Sequence, residues 1–266
     1  MFLMQMDPIA LRIFGLSIHW YAVFIVGGAT LGLFLASLES KRVGENPEFI
    51  SDFALMGLPI SVIGARLYYV LFDLPYYLAS PSRILRIWEG GLAIYGGIIA
   101  GFIFVWYFAK KKKISVWKFL DILGPSVLLA QAIGRWGNFI NQEAHGGPTT
   151  RAFLSDTLHL PNFIVNNMNI NGVYYHPTFL YESAWTIIGC LALFLLRRKA
   201  HLFRQGQVFF TGIAWYSFAR FFIEGMRTDS LMLTSTIRVS QLLSMILFIG
   251  SLYMILRLKK NPYYEE

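Results

Sequence analysis

Three arginines stand inside otherwise apolar runs of this sequence: Arg66, Arg135 and Arg220. A guanidinium in hydrocarbon is costly, so each needs an ion-pair partner or an anionic ligand. Arg135 lies in GRWGNFINQEAHGG, Gly134 to Gly147, with Asn138, Asn141, Gln142 and Glu143 close behind it. On one helix, Gln131, Arg135, Asn138 and Gln142 fall at i, i+4, i+7 and i+11 and share a face. An arginine fork with amides beside it can grip a phosphate through several donors. The same residues also suit a structural arginine paired with a glutamate that stitches two helices. Arg220 lies in YSFARFFIEGMRTD, where Tyr216, Arg220 and Glu224 recur at i, i+4 and i+8, with Arg227 near the same stripe. An ion pair near hydrocarbon that also faces a tyrosine is more than a surface helix requires. Arg66, in GARLYYV, reads as a third phosphate contact or as a bundle ion pair.

Other stretches are more ambiguous. In WEGGLAIYGGIIAG, Gly90, Gly91, Gly96 and Gly97 bracket Tyr95. Such pairs permit unusual dihedrals and close backbone approach, and they also serve plain helix packing. HPTFLYES places His176, Tyr181 and Glu182 at the start of an apolar run, where a His–Glu pair reads as a helix-entrance cap or a proton relay. The structural role is the simpler one. His19, Trp20 and Tyr21 look like an interfacial aromatic belt. Histidines 145, 159 and 201 have no metal-ligand spacing, so no metal and no other cofactor is expected. A nucleophilic serine elbow and a phosphate-cradling glycine loop are both missing from the sequence.

The composition says what must position these groups. The 266 residues are 56% hydrophobic and 17% aromatic, and only 14% are charged. Soluble domains carry about 25% charged residues, so the expected class is an all-α polytopic membrane protein. About seven segments reach the roughly 17 to 25 residues that a spanning helix needs. They fall near 18–38, 50–72, 92–109, 119–140, 177–196, 207–224 and 239–257. This gives an interfacial arm over 1–17, four spans over 18–140, a cap segment over 141–176, and three spans with a tail over 177–266. The cap carries an Asn-Gly turn signal in NINGVYY, Asn169 to Tyr175, which predicts a small hairpin. Cys190 lies within an apolar helix and reads as inert packing. No basic region precedes the first apolar segment, so a cleavable signal peptide is not expected.

Orientation follows from loop charge. Fourteen Lys and Arg residues occupy one alternate set of loops and the tail, against six in the other set. The positive-inside rule then puts the N-terminus outside and the C-terminus in the cytoplasm. The net charge of +8 is topogenic rather than a nucleic-acid footprint, since no basic face interleaves with surface aromatics. With this topology Arg66, Arg135 and Arg220 all fall in the outer half of the membrane, as do His19, Tyr21, Tyr95, Glu143, His176, Glu182 and Glu224. A transporter or channel would spread polar groups through both leaflets. A heptahelical receptor gives no reason for three outer-half arginines. A site that faces outer-leaflet headgroups would not need polar groups in both leaflets.

These stretches also carry a resemblance. GRWGNFINQEAHG closely resembles the signature of the prolipoprotein diacylglyceryl transferases, which begins Gly-Arg and contains Gly-Asn-Phe, then Asn, Glu and a final Gly. HWY at 19–21, WEGGLAIYGG at 88–97, HPTFLYE at 176–182 and YSFARFFIEGMR at 216–227 match in the family's order. The resemblance implies a bundle of seven helices with an external N-terminus and head domain, in the bacterial cytoplasmic membrane. It implies transfer of a diacylglyceryl group from phosphatidylglycerol to the lipobox cysteine of a prolipoprotein signal peptide, with a thioether formed and glycerol phosphate released. It makes Arg135 and Arg220 the essential arginines, supported by Tyr21, Asn138, Glu143, Gly146, Tyr216 and Glu224. Arg66, Tyr95, Asn141 and Arg227 join them as candidate substrate contacts. Many relatives carry a histidine where this chain has Tyr95, and a phenol is a poor base at neutral pH. Tyr95 is therefore expected to orient substrate, and the proton acceptor is left unassigned.

Overall fold

A computed structural model describes residues 6–13, 16–228, 230–232, 234 and 238–266. Long apolar helices dominate it, as the composition demands. The chain begins with a hairpin of β1 (Ile9–Ile13) and β2 (Leu16–His19), paired antiparallel. The expected arm is thus a strand pair that runs directly into the first helix. The helices follow as α1 (Trp20–Arg42), α2 (Glu48–Phe72), the short α3 (Leu74–Ala79), α4 (Ile94–Lys112) and α5 (Val116–Ile140). After the cap come α7 (Thr178–Leu196), α8 (Gln207–Met226) and α9 (Val239–Arg257). Six of these are long and apolar enough to cross a membrane by length and composition: α1, α2, α4, α5, α7 and α9 with the turn after it. Helix α8 matches the expected sixth segment in position and carries Arg220 and Glu224 in its last turns. Side chains such as Leu55, Phe72, Ile249 and Leu256 stand exposed along the helices, as lipid-facing positions should.

Internal contacts divide the chain into two compact units, Met1–Leu35 with Asp121–Glu266, and Ala36–Leu120. In the second unit, α2 and α4 pack closely through small residues. A Cβ on Gly64 would lie 2.8 Å from the Gly96 carbonyl oxygen, and one on Gly97 would lie 3.2 Å from that of Ser61. Of the two glycine pairs around Tyr95, the later one therefore serves helix packing. The earlier one serves the turn: Gly90 and Gly91 have φ of 88° and 75°, which residues with a Cβ rarely adopt. Phe53 anchors the core of this unit against Phe104, Phe108 and Phe119.

In the first unit, α1 meets α5 where Gly28 and Gly32 face the backbone of Ala130 and Ser126. Helices α7 and α8 are tied by Trp185 and Trp215, whose rings stack at 4.4 Å. Each indole N–H donates to the other residue's carbonyl, at 2.9 and 2.8 Å. The N-terminus of α8 is capped from another helix. Fully buried Asp121 on α5 accepts from the Gly206 and Phe209 amides at 2.6 and 2.8 Å. These amides belong to the first turn, which has no partner within its own helix.

The cap, 141–176, folds around Phe139, Leu154, Ile164, Val165, Met168 and Phe179. Short α6 (Asn162–Asn167) lies here, with a three-stranded sheet of β3 (Pro148–Thr149), β5 (Val173–Tyr175) and β4 (Asn169–Ile170) in that order. The predicted hairpin is β4–β5. Asn171 and Gly172, with φ of 52° and 86°, form the two-residue turn that the Asn-Gly pair specified.

Candidate active site

Arg135 lies in the last turns of α5, Glu182 in the first turns of α7, and Arg220 and Glu224 in the last turns of α8. Antiparallel neighbours bring these ends to one side, where the charged groups join in a chain. Arg135 Nη2 reaches Glu182 Oε1 at 2.5 Å. Arg220 Nη1 reaches Glu182 Oε2 at 3.0 Å, and its Nη2 reaches Glu224 Oε2 at 2.6 Å. Arg227 Nη1 stands 3.8 Å from the same Glu224 oxygen. Glu182 and Glu224 are buried, while the arginines keep partial exposure, up to 22% for the Arg135 side chain. Arg135 also donates to Asn138 Oδ1 at 3.2 Å and to the Tyr216 hydroxyl at 3.5 Å.

Helix packing explains why these ends meet. The Ser183 hydroxyl, next to Glu182, donates to the Ala132 carbonyl at 2.9 Å and locks α7 on α5. One turn earlier Phe179 stacks on Phe139 at 4.4 Å. The cap closes over the same place. Gly146 pairs in a β-bridge with Arg227, its amide donates to the His176 carbonyl at 2.9 Å, and Thr178 Oγ1 donates to the Ala144 carbonyl at 2.5 Å. A Cβ on Gly146 would lie 2.7 Å from that of His176, so glycine is needed here for close approach. Tyr21, at the start of α1, packs on Gly137, between Arg135 and Asn138 in sequence. Glu143 is exposed and accepts from Asn138 Nδ2 at 2.8 Å and Asn141 Nδ2 at 3.4 Å, which makes it a brace for those amides.

Some expectations are redirected. Helix α5 ends at Ile140, so Gln142 leaves the shared face. It takes a φ of 54°, and its amide donates to the Asn167 carbonyl at 2.7 Å inside the cap. Glu182 does not pair with His176, whose Nδ1 lies 3.2 Å from the Tyr181 hydroxyl instead. Its role as the bridge between two distant arginines was missed. The signal was present, since two arginines within apolar runs need more carboxylate than Glu224 supplies. Among the described residues Arg66, in the second unit, has no ion-pair partner. It is buried and donates to the carbonyls of Arg83, Ile84, Gly90 and Gly91 at 2.6 to 3.0 Å. Tyr95, in the same unit, lies in the first turn of α4 and is 42% exposed. Among the described residues no group of His, Cys, Asp or Glu is placed to hold a metal ion.

Three basic side chains, two buried carboxylates, an amide and a phenol converging between helix ends make a site for a singly or doubly charged oxyanion. Comparison with known proteins names the kind of enzyme. The prolipoprotein diacylglyceryl transferase family model matches residues 8–257, nearly the whole chain. The chain belongs to this family. A phosphatidylglycerol–prolipoprotein diacylglyceryl transferase of Enterococcus faecalis is 52% identical over 262 residues, covering 98% of this chain and 94% of that protein. Proteins of the same name from Bacillus velezensis and Lactiplantibacillus plantarum are 49% and 50% identical, covering 98% and 97% of this chain and 95% and 91% of theirs. The bridged arginines thus sit in a chain that spans most of the length of these transferases.

Proposed function

We propose that this chain transfers the diacylglyceryl group of phosphatidylglycerol to the lipobox cysteine thiol of prolipoproteins. Arg135 and Arg220 form the clamp on the lipid phosphate. The observation that carries the reading is their meeting on one carboxylate: guanidiniums from two helices converge on Glu182, so both are aimed at one anion-sized position. Arg227 and Asn138 flank that position and line the same small space. In the reaction the substrate sulfur attacks the glycerol carbon that bears the phosphate ester. A C–S bond forms, the C–O bond breaks, and its electron pair goes to the phosphate oxygen, while the thiol proton is released. Charge grows on the phosphate as the bond breaks, and fixed guanidinium donors stabilise it at the moment it develops. A cationic surround also raises the thiolate fraction of the incoming cysteine. The nucleophile comes with the substrate, so the enzyme needs none of its own, and buried Cys190 stays outside the chemistry.

Tyr216 orients Arg135, Glu224 orients Arg220, and Tyr21 shapes the approach over Gly137. Tyr95 orients substrate through its hydroxyl. Arg66 acts on the loop that precedes Tyr95 rather than on the phosphate. The site lies in the outer half of the bacterial cytoplasmic membrane, where lipid and signal peptide both present their headgroup-level atoms.

A reconstituted assay with phosphatidylglycerol and a lipobox peptide, read by mass spectrometry, tests this. Wild-type protein adds a diacylglyceryl mass to the peptide. Arg135→Lys and Arg220→Lys each lower turnover by about 100-fold or more, because a single ammonium cannot reproduce the planar fork. Near wild-type turnover in either variant overturns the clamp.

A further inference from the structure

We propose that His145 accepts the proton of the incoming thiol through its Nε2. The proposal rests on the phosphate-clamp reading. Displacement at carbon runs in line, so the sulfur enters on the side of the carbon away from the departing phosphate oxygen. The group that takes its proton therefore belongs beside the clamp rather than in it. Within the clamp the carboxylates are already engaged: Glu182 holds Arg135 and Arg220, one on each oxygen, and Glu224 holds Arg220. A proton on either would break an ion pair at the moment the arginines are needed. Glu143 carries the amides of Asn138 and Asn141, and a phenol such as Tyr216 is a poor base at neutral pH.

His145 stands in the adjoining space. Its ring lines a small hollow with Asn138, Glu143, Thr178 and Phe179, and Asn138, Thr178 and Phe179 are also walls of the clamp space. Its sequence neighbours are pinned beside the clamp: the Ala144 carbonyl accepts from Thr178 Oγ1, and Gly146 bridges to Arg227. The ring packs on Tyr175 of β5 with centroids 4.1 Å apart, which holds its plane. Its Nδ1 lies 3.1 Å from the Gly146 carbonyl oxygen. A carbonyl only accepts, so Nδ1 carries the hydrogen and Nε2 keeps the lone pair. Thr228 Oγ1, at 3.5 Å, lies on the same Nδ1 edge. Among the described residues nothing hydrogen-bonds to Nε2, and the residue is half-exposed. The charged and titratable groups around it are Glu143 on its own loop, Tyr175 against the ring, His176 beside Gly146 and Arg227 after α8. His176 lines neither space, and its ring is held by the Tyr181 hydroxyl and Phe153. In the step, the thiol proton passes to Nε2, the sulfur bonds to carbon, and the C–O pair leaves with the phosphate. The imidazolium then gives its proton to water, and the neutral tautomer returns.

Two lipobox peptides test this in the reconstituted assay, one with cysteine and one with selenocysteine at the reacting position. A selenol is already ionised at neutral pH and needs no acceptor. With the cysteine peptide, His145→Gln is expected to lower kcat/KM about 100-fold at about pH 7. The loss shrinks at about pH 9, where free cysteine is mostly thiolate. With the selenocysteine peptide the variant matches wild type, which also shows that it is folded. His145→Phe keeps an aromatic ring against Tyr175 without the base, and is expected to behave as His145→Gln does. An equal loss with both peptides at both pH values makes the ring a structural support and overturns the proposal. Unchanged turnover of the cysteine peptide overturns it as well. Arg135→Lys and Arg220→Lys separate the two readings. They lose both peptides at both pH values if the clamp holds; if they keep both, the clamp fails and the proposal with it. An equal loss in the His145 variants beside a working clamp fails the proton role alone.

Discussion

At the scale of the residue, what counts is which side chain holds which. Arg135, Asn138, Tyr216, Arg220 and Glu224 were legible in the sequence because polar groups in apolar runs are rare and their helical spacing puts them on shared faces. Glu182 was not, since its partners are 47 and 38 residues away and its nearest polar neighbours in sequence suggested a pair with His176. Long-range pairing is a property of the packing, and no local spacing encodes it. Gly137 shows the same limit. Within GRWGN it reads as a small residue for close approach, yet only the structure says what approaches. A Cβ there would stand 2.5 Å from Tyr21 Cδ2 and 3.2 Å from its Cα. The ring can turn away, but the Cα moves only if the start of α1 moves. Gly137→Ala is therefore expected to cost about 1–3 kcal/mol in stability, as overpacking does. Turnover should fall further than Tyr21→Phe makes it fall, because the whole residue shifts against the α5 turn that carries Gly137. Thermal melts and the peptide assay measure both quantities. Equal turnover in Gly137→Ala and wild type would separate Tyr21 from the site.

At the scale of the element, the helices were legible to within a few residues because each is a long apolar run bounded by loop signals. The segment after α2 was not, because its organiser is one side chain. The turns over 81–91 carry short i to i+3 hydrogen bonds, and Arg66 ties them together by collecting their carbonyls, with its guanidinium 5.1 Å from the Tyr77 ring centroid. A guanidinium has five N–H donors in a fixed fork, while an ammonium has three on a point charge. A Cβ on Gly91 would lie 2.5 Å from Arg66 Nη1, so the turn and the arginine fit only each other. Arg66→Lys removes most of these hydrogen bonds and is expected to destabilise the segment by about 1–3 kcal/mol. Hydrogen exchange should rise across 81–93 and leave α7 and α8 protected, since their ties run through Trp185, Trp215 and Asp121 instead. Unchanged exchange in 81–93 would show that the loop holds without its arginine. Turnover that falls along with it would connect this loop, and Tyr95 behind it, to the reaction.

At the scale of the whole molecule, fold class and function were readable from composition and motif order, while membrane orientation is a prediction on which two arguments meet. Loop charge sets the first: the run Arg197, Arg198 and Lys199 follows α7 on the side where the His201 amide donates to Glu265 of the C-terminal tail. The site geometry sets the second. Arg135 near the end of α5, Glu182 near the start of α7 and Arg220 near the end of α8 all lie away from that basic side. A cytoplasmic basic side then puts the phosphate clamp at the outer leaflet, together with the folded cap that closes over Gly146 and Thr178. Alkaline phosphatase, active only after export, should be inactive when fused after residue 266 and active when inserted at the β4–β5 turn of the cap. A fluorescent protein that matures only in the cytoplasm should give the reverse pattern. Phosphatase activity at the C-terminus would invert the molecule. Arg135 and Arg220 would then face the cytoplasmic leaflet, and a signal peptide emerging on the outer side could not present its cysteine to them.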